Sequence, residues 1–253
     1  MKLFKKVLAG VAVAAAMASS GHAALNNVGG VVWDPLLTGI DFGGAATLTQ
    51  NIGGTGEVTG YAYVNSLNST GVGTFCPGCE LTVTYSGFTP NASSTSTLVG
   101  SSTYTFQTFT GGTVNFWVDA TPDTGAGTST DITKYGDGVL WASFSGHALA
   151  GNGTTTFTGL VISGSKSLAG DGVLDVTGGL AYTALNTNKM ADFSDLSFSN
   201  TFTAFPLVFP NISLAYGTST FTGDSIQVPE PASLALVGLG LLGLAASRRR
   251  KSV

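Results

Sequence analysis

The chain is 253 residues long, contains 36 glycines, and is only 9% charged. That length is enough for one or two domains with a sizeable core, and a 10% aromatic content separates the chain from disordered sequences, which are poor in aromatics. Seven of the ten basic residues sit at the two ends, so residues 24–228 carry Lys134, Lys166 and Lys189 against thirteen acids, a net of −10, which excludes nucleic acid as a partner.

Lys2, Lys5 and Lys6 precede an apolar run from Val7 to Ala18, and Gly21-His22-Ala23 ends the segment in small residues. A basic start, about a dozen apolar residues and a small-x-small ending make a secretory signal over residues 1–23. Sec-type export machinery would read it, and signal peptidase would cut after Ala23, with Ala24 as the next choice. The run is short for a permanent anchor in a bilayer.

Residues 24–226 read as a β-rich exported domain. In Glu80–Ser86, Leu81, Val83 and Tyr85 alternate with Thr82, Thr84 and Ser86. The same period of two runs through Val114, Phe116 and Val118, through Leu140, Ala142 and Phe144, and through Ile212, Leu214 and Tyr216. Leu196, Phe198 and Phe202 share another face, which Asn200 interrupts. Such alternation, rich in Thr, Val, Tyr and Phe, predicts half-buried strands. Gly53-Gly54, Gly111-Gly112 and Gly178-Gly179 are read as turns, and no amphipathic helix stands out beyond a turn at Met190–Leu196. The expected fold is all-β, an antiparallel β-sandwich of jelly-roll type, with a parallel solenoid as runner-up. Gly136-Asp137-Gly138-Val139-Leu140 returns as Gly170–Leu174, and Gly153–Gly159 returns as Gly217–Gly223. The two offsets differ, which argues against a repeat array, and the phrases are read as turn-to-strand chemistry.

Chemistry has few candidates in this domain. Cys76 and Cys79 are the only cysteines, and in an exported chain a structural disulfide is the expectation. Redox work would need a helix after the pair, where the sequence reads as a strand, and a closed zinc site would need more ligands. His147 is the only histidine after the signal; Ser143 and Ser145 lie near it without a nucleophile-elbow motif. Paired carboxylates for glycoside chemistry would come from Asp137, Asp171, Asp175 and Glu57. Asp123 and Asp131, together with Asp137, Asp171 and Asp175, are the calcium candidates, because acids in or near Gly-rich turns supply hard oxygen ligands. Trp117 falls opposite Val114, Phe116 and Val118 and is the aromatic best placed for stacking on sugar. No cofactor is expected from these residues beyond that calcium.

Residues 227–253 form a three-part tail. Val228-Pro229-Glu230-Pro231 is held extended by its prolines. Residues 232–247 then form an apolar stretch of about 24 Å as a helix, marginal for a hydrocarbon core of about 30 Å. Arg248, Arg249, Arg250 and Lys251 form a basic stop that holds the C-terminus in the cytoplasm. The three parts, in this order, closely resemble the PEP-CTERM sorting signal. The resemblance implies a Gram-negative exported protein whose tail spans the inner membrane transiently and is recognised by an exosortase. It also implies removal of the tail near Pro229-Glu230-Pro231, delivery to the cell surface or extracellular matrix, and association with exopolysaccharide. It concerns the tail alone, so the resulting expectation is a non-enzymatic surface or biofilm-matrix protein. The alternatives are a calcium-assisted carbohydrate-binding module and a glycoside-acting enzyme.

Overall fold

A computed structural model describes residues 25–36, 42–52, 57–151, 153–162, 167–204, 215–228 and 240. The signal segment with Ala23 and Ala24, the turn expected at Gly53-Gly54, Ile212 and Leu214, Pro229-Glu230-Pro231, the Arg248–Lys251 stop and, apart from Gly240, the membrane stretch 232–247 lie outside the described residues. Among the described residues no helix is long and apolar enough to cross a membrane.

The strands in chain order are β1 (Asn26–Val28), β2 (Val31–Trp33), β3 (Phe42–Ile52), β4 (Val58–Leu67), β5 (Thr70–Gly71), β6 (Glu80–Val99), β7 (Ser102–Asp119), β8 (Val139–Gly146), β9 (Thr155–Ile162), β10 (Ser167–Gly178), β11 (Leu196–Ala204) and β12 (Ala215–Gly223). Helix is confined to single turns, α1 (Val72–Phe75) and α2 (Tyr182–Leu185), with 3-10 turns at Ile132–Tyr135 and Ala191–Phe193. Strands β3, β4, β6, β7, β8, β10, β11 and β12 pair antiparallel in that order, and β12 returns to β3. The sheet therefore closes into an up-and-down barrel. The all-β class holds, but the jelly-roll sandwich and the solenoid do not. Alternation specifies one buried face per strand, and a closed ring satisfies it as well as two stacked sheets while also pairing every edge.

Strand β9 continues the lane of β8. β7 pairs β9 through residues 104–110 and β8 through residues 113–118, while β10 likewise pairs β9 first and then β8. At the changeover Gly111 and Gly112 have φ of 72° and 95°, a backbone state in which side chains are strained. They kink β7 rather than turn it, which corrects the turn expected there. Gly170–Leu174 also lies inside a strand, not at a turn. A Cβ at Gly172 would sit 2.6 Å from the Phe198 ring, so this glycine makes room for an aromatic in a narrow lumen. The earlier copy of the phrase does lead a loop into β8.

The apolar face of each strand is turned into the lumen, where Leu81, Val83, Phe116, Phe144, Leu174 and Phe221 are buried. Ser197, Ser199 and Thr201 on β11 and Thr218, Thr220 and Thr222 on β12 alternate with these inward positions and face out, as does Tyr216, 43% exposed. A bulge between Phe116 and Trp117 shifts the register against β8, so Trp141 is fully buried while Leu140 is only half-buried. One end of the barrel is plugged by the β1–β2 hairpin. There the Trp33 ring meets Trp141 edge-on at 5.6 Å and Phe42 at 5.9 Å, with Phe75 of α1 and Leu185 of α2 buried beside them.

Candidate functional site

The plugged end is where the chain enters and leaves the barrel. After β12, Ser225, Ile226 and Val228 are bonded to this end. Ser225 Oγ accepts from Trp33 Nε1 at 2.9 Å, and Ile226 N donates to Ala184 O of α2 at 2.8 Å. Asn26 then clasps the exit: its Nδ2 donates to Ile226 O at 2.9 Å and its Oδ1 accepts from Val228 N at 2.8 Å. Asn26 is 1% exposed, and Val228 packs against the core. The folded body thus extends to Val228, itself the first residue of the sorting motif, and Pro229 follows it. Asn26 follows the expected signal cleavage positions Ala23 and Ala24 by two or three residues. The first strand and the end of the described body therefore meet at one end of the barrel, tied together by one side chain. The placement of Asn26 directly after the signal segment was visible in the sequence; its partners some 200 residues away were not.

The disulfide of Cys76 and Cys79 lies at this end too. Cys76 N donates to Val72 O at 2.8 Å as α1 ends, and Cys79 Sγ lies 3.8 Å from Gly30 O of the β1–β2 turn. The bridge pins the loop that launches β6 against the plug.

Glu80, the first residue of β6, is an acid that sequence reasoning did not single out, although its position directly after the cysteine loop marked it. It is 1% exposed. Its Oε1 accepts from the N–H of Asp123 at 3.1 Å and of Thr124 at 3.3 Å, and its Oε2 accepts from Thr124 Oγ1 at 2.5 Å. Glu80 so anchors the loop from Thr121 to Gly138, which lies over the outer faces of β4 and β6. Beneath that loop Tyr61 and Tyr135 pack with ring centroids 4.3 Å apart, and Thr82 Oγ1 donates to Tyr135 O at 2.9 Å. Burial, with Tyr61 and then Glu80 adding to it, pushes the Tyr135 phenol up to about 12; burial and Glu80 raise Tyr63 in the same direction. The carboxylates of Glu80, Asp119 and Asp123 offer ligand atoms within 4.8 Å of one another, and among the described residues this is the only such group of His, Cys, Asp or Glu. Three donors already occupy the Glu80 carboxylate, so the arrangement holds a loop.

Of the calcium candidates Asp123 belongs to that trio, Asp131 accepts from Thr133 N and Oγ1 at 3.1 and 2.7 Å, and the other three stand apart. Asp137 is exposed in the loop before β8, Asp171 faces outward from the middle of β10, and Asp175 is paired with His147. His147 Nδ1 lies 2.8 and 2.7 Å from the two Asp175 oxygens. Ser143 Oγ instead donates to Asn115 Oδ1 at 2.7 Å and accepts from Thr177 Oγ1 at 3.3 Å, so the structure supports no Ser-His-Asp relay there. Glu57 accepts from Gly87 N at 3.2 Å and braces the start of β4 against β6. Trp117 is half-buried on the outer face, where its Nε1 donates to Thr84 Oγ1 at 2.8 Å and so fixes the ring edge against β6. Asp195 is a further buried acid, accepting from the N–H groups of Thr187, Asn188 and Val176 at 2.7, 2.7 and 2.9 Å and so fixing the loop between β10 and β11.

The organised feature closest to known chemistry is therefore the clasped exit and the tail it presents. No curated protein and no solved structure matches the chain. Residues 227–251, however, match the family model of the PEP-CTERM protein-sorting motif, and the chain is an exported protein carrying an exosortase sorting signal in its C-terminal tail.

Proposed function

We propose that the barrel is a non-enzymatic module that the exosortase pathway delivers to the cell surface or exopolysaccharide matrix, with the tail removed between Val228 and Pro231. The observation that carries this reading is the boundary at Val228. Ser225, Ile226 and Val228 are bonded to the barrel end, Val228 is also packed on its core, and Pro229 of the motif follows directly. Processing at the motif leaves the folded body intact and removes the membrane stretch with its basic stop. The barrel end bearing the β1–β2 hairpin then faces the membrane while the tail is still attached, because only three residues separate Val228 from the apolar stretch beginning at 232. The outward Ser and Thr rows and the net negative charge of the body suit a neutral, hydrated polysaccharide environment.

The intact mass of the protein recovered from its native host tests this reading. A chain beginning at residue 24 or 25 and ending between Val228 and Pro231 is expected. A mass that retains residues through Val253 refutes tail removal. Recovery of the processed chain with the inner membrane, rather than with the surface or matrix fraction, refutes the destination.

A further inference from the structure

The lumen of the barrel holds a cavity of about 60 Å³, and each lane of the barrel contributes to its wall. Ala46, Val83, Val114, Leu174, Phe198 and Phe221 make most of that wall apolar. Phe88, Phe157 and Phe198 close it on the side away from the clasp, with Phe157 stacked on Phe198 at 5.6 Å and Phe88 5.7 Å from Phe157. The single break in this lining lies on β11 and β12, where Asn200 and Ser219 are register partners, both 8% exposed and both facing in. Asn200 Oδ1 is buried and has no hydrogen-bond partner. The other hydroxyl in the wall is committed elsewhere, since Tyr85 donates to Thr49 O at 3.1 Å.

An unsatisfied buried amide oxygen works against folding, and alternation offered this position to an apolar residue: Leu196, Phe198 and Phe202 occupy the same face. An asparagine here is unfavourable for folding alone and becomes favourable when a donor reaches it. Water is a poor occupant of the whole space, because a buried water needs two to four polar partners and the wall offers Asn200 and Ser219 only. The size of the space limits what else fits. It is well under the roughly 150 Å³ of an apolar cavity that accepts benzene, and at about 10–15 Å³ per water-sized position it holds a chain of roughly four or five heavy atoms. The head group is limited by charge. A carboxylate would find donors in Asn200 Nδ2 and the Ser219 hydroxyl, but no cation lines the wall to balance its charge.

We propose that the lumen is a binding site for a small aliphatic molecule bearing one hydroxyl, such as a short primary alcohol. The hydroxyl donates to Asn200 Oδ1 beside Ser219, and the alkyl chain lies against Ala46, Phe198 and Phe221. This site is independent of the sorting tail and of its processing.

The test titrates the full chain with butan-1-ol and, separately, with butanoate, following the side-chain amide and methyl signals by NMR. Saturable shifts at Asn200 and Leu174 with butan-1-ol, and none with butanoate, are expected. Asn200→Leu keeps the size of the side chain but removes the acceptor, and should weaken butan-1-ol binding about five- to tenfold, the worth of one hydrogen bond, without lowering Tm. Ala46→Leu fills the cavity from the neighbouring strand and should abolish binding, which keeps the test decisive should the first variant fail to fold. Absence of saturable butan-1-ol shifts in the wild-type chain, equal binding of butanoate, or unchanged binding in Ala46→Leu overturns the proposal.

Discussion

Replacing Asn26 by alanine removes the clasp without touching the sorting motif. The substitution deletes two hydrogen bonds, to Ile226 O and from Val228 N, in a site where the asparagine is almost wholly buried. At about 1 kcal/mol net for each bond, the exit segment loses about 2 kcal/mol of local stability. Since 1.4 kcal/mol is a factor of ten, the detached state of residues 226–228 becomes about 30-fold more populated. Hydrogen exchange at the Val228 amide reads this directly, and its protection should fall about 30-fold, while amides in the middle of β6 and β10 that exchange only through global unfolding fall by no more than the same factor. The global loss should appear as a Tm lower by roughly 4–8 °C, from about 2–4 °C per kcal/mol in a domain of this size. A membrane processing enzyme needs its substrate extended, so tail removal in the native host, followed by pulse-chase and intact mass, should be faster in the variant. Unchanged Val228 exchange would falsify the clasp as an energetic element. Faster exchange with unchanged processing would show that detachment of Val228 does not limit the enzyme.

Three further outcomes follow from the packing. Gly172→Ala should destabilise the barrel by about 1–3 kcal/mol, the usual cost of overpacking, because its Cβ meets the Phe198 ring, whereas Gly73→Ala, with open space around it, should be neutral; equal urea midpoints for the two variants would contradict the proposed fit of ring over glycine. Glu80→Ala leaves two N–H groups and a hydroxyl without their acceptor and should cost about 2–4 kcal/mol, while EDTA or added calcium should leave the wild-type Tm unmoved; a calcium-dependent rise would instead assign a site to Glu80, Asp119 and Asp123. Tyr135 carries a phenol raised to about 12 against an ordinary value of 10, so its contribution to stability is whole below pH 10 and is lost as pH rises towards 12. Melting of the wild type should decline over that window more steeply than melting of Tyr135→Phe, and parallel profiles would refute the assignment.

Much of the lumen lining could be read from alternation. Leu81, Val83, Tyr85, Phe116 and Phe144 were all expected on buried faces, and all are inside. The break at Asn200 was equally visible, but its meaning was not, because nothing local shows that Ser219 is its register partner or that the oxygen finds no donor. Glycine was misread where it did packing work. Gly170 and Gly172 resemble turn residues in a linear reading and are in fact strand positions emptied for Phe157 and Phe198, a distinction that depends on which ring lies across the lane. Trp141 entered the core through a bulge, which puts Trp141 and Ala142 inside side by side, leaves Leu140 half-buried and makes no local mark.

The address and the exported β-rich body were determined by the sequence itself. A sorting motif is read by other machinery as a linear, extended string, so its order of prolines, apolar stretch and basic stop contains all that the reader needs. Strand faces are similarly local, because side chains alternate along any extended backbone. Closure was decided only in three dimensions. A period of two says which side of a strand is buried but not which strand lies beside it, and the return of β12 to β3 is what turns a candidate sandwich into a barrel with a lumen. The same long-range pairing brings Asn26 to Val228 and Asn200 to Ser219, and these two contacts, one at the exit and one in the lumen, depend on strands that meet only once the ring is complete.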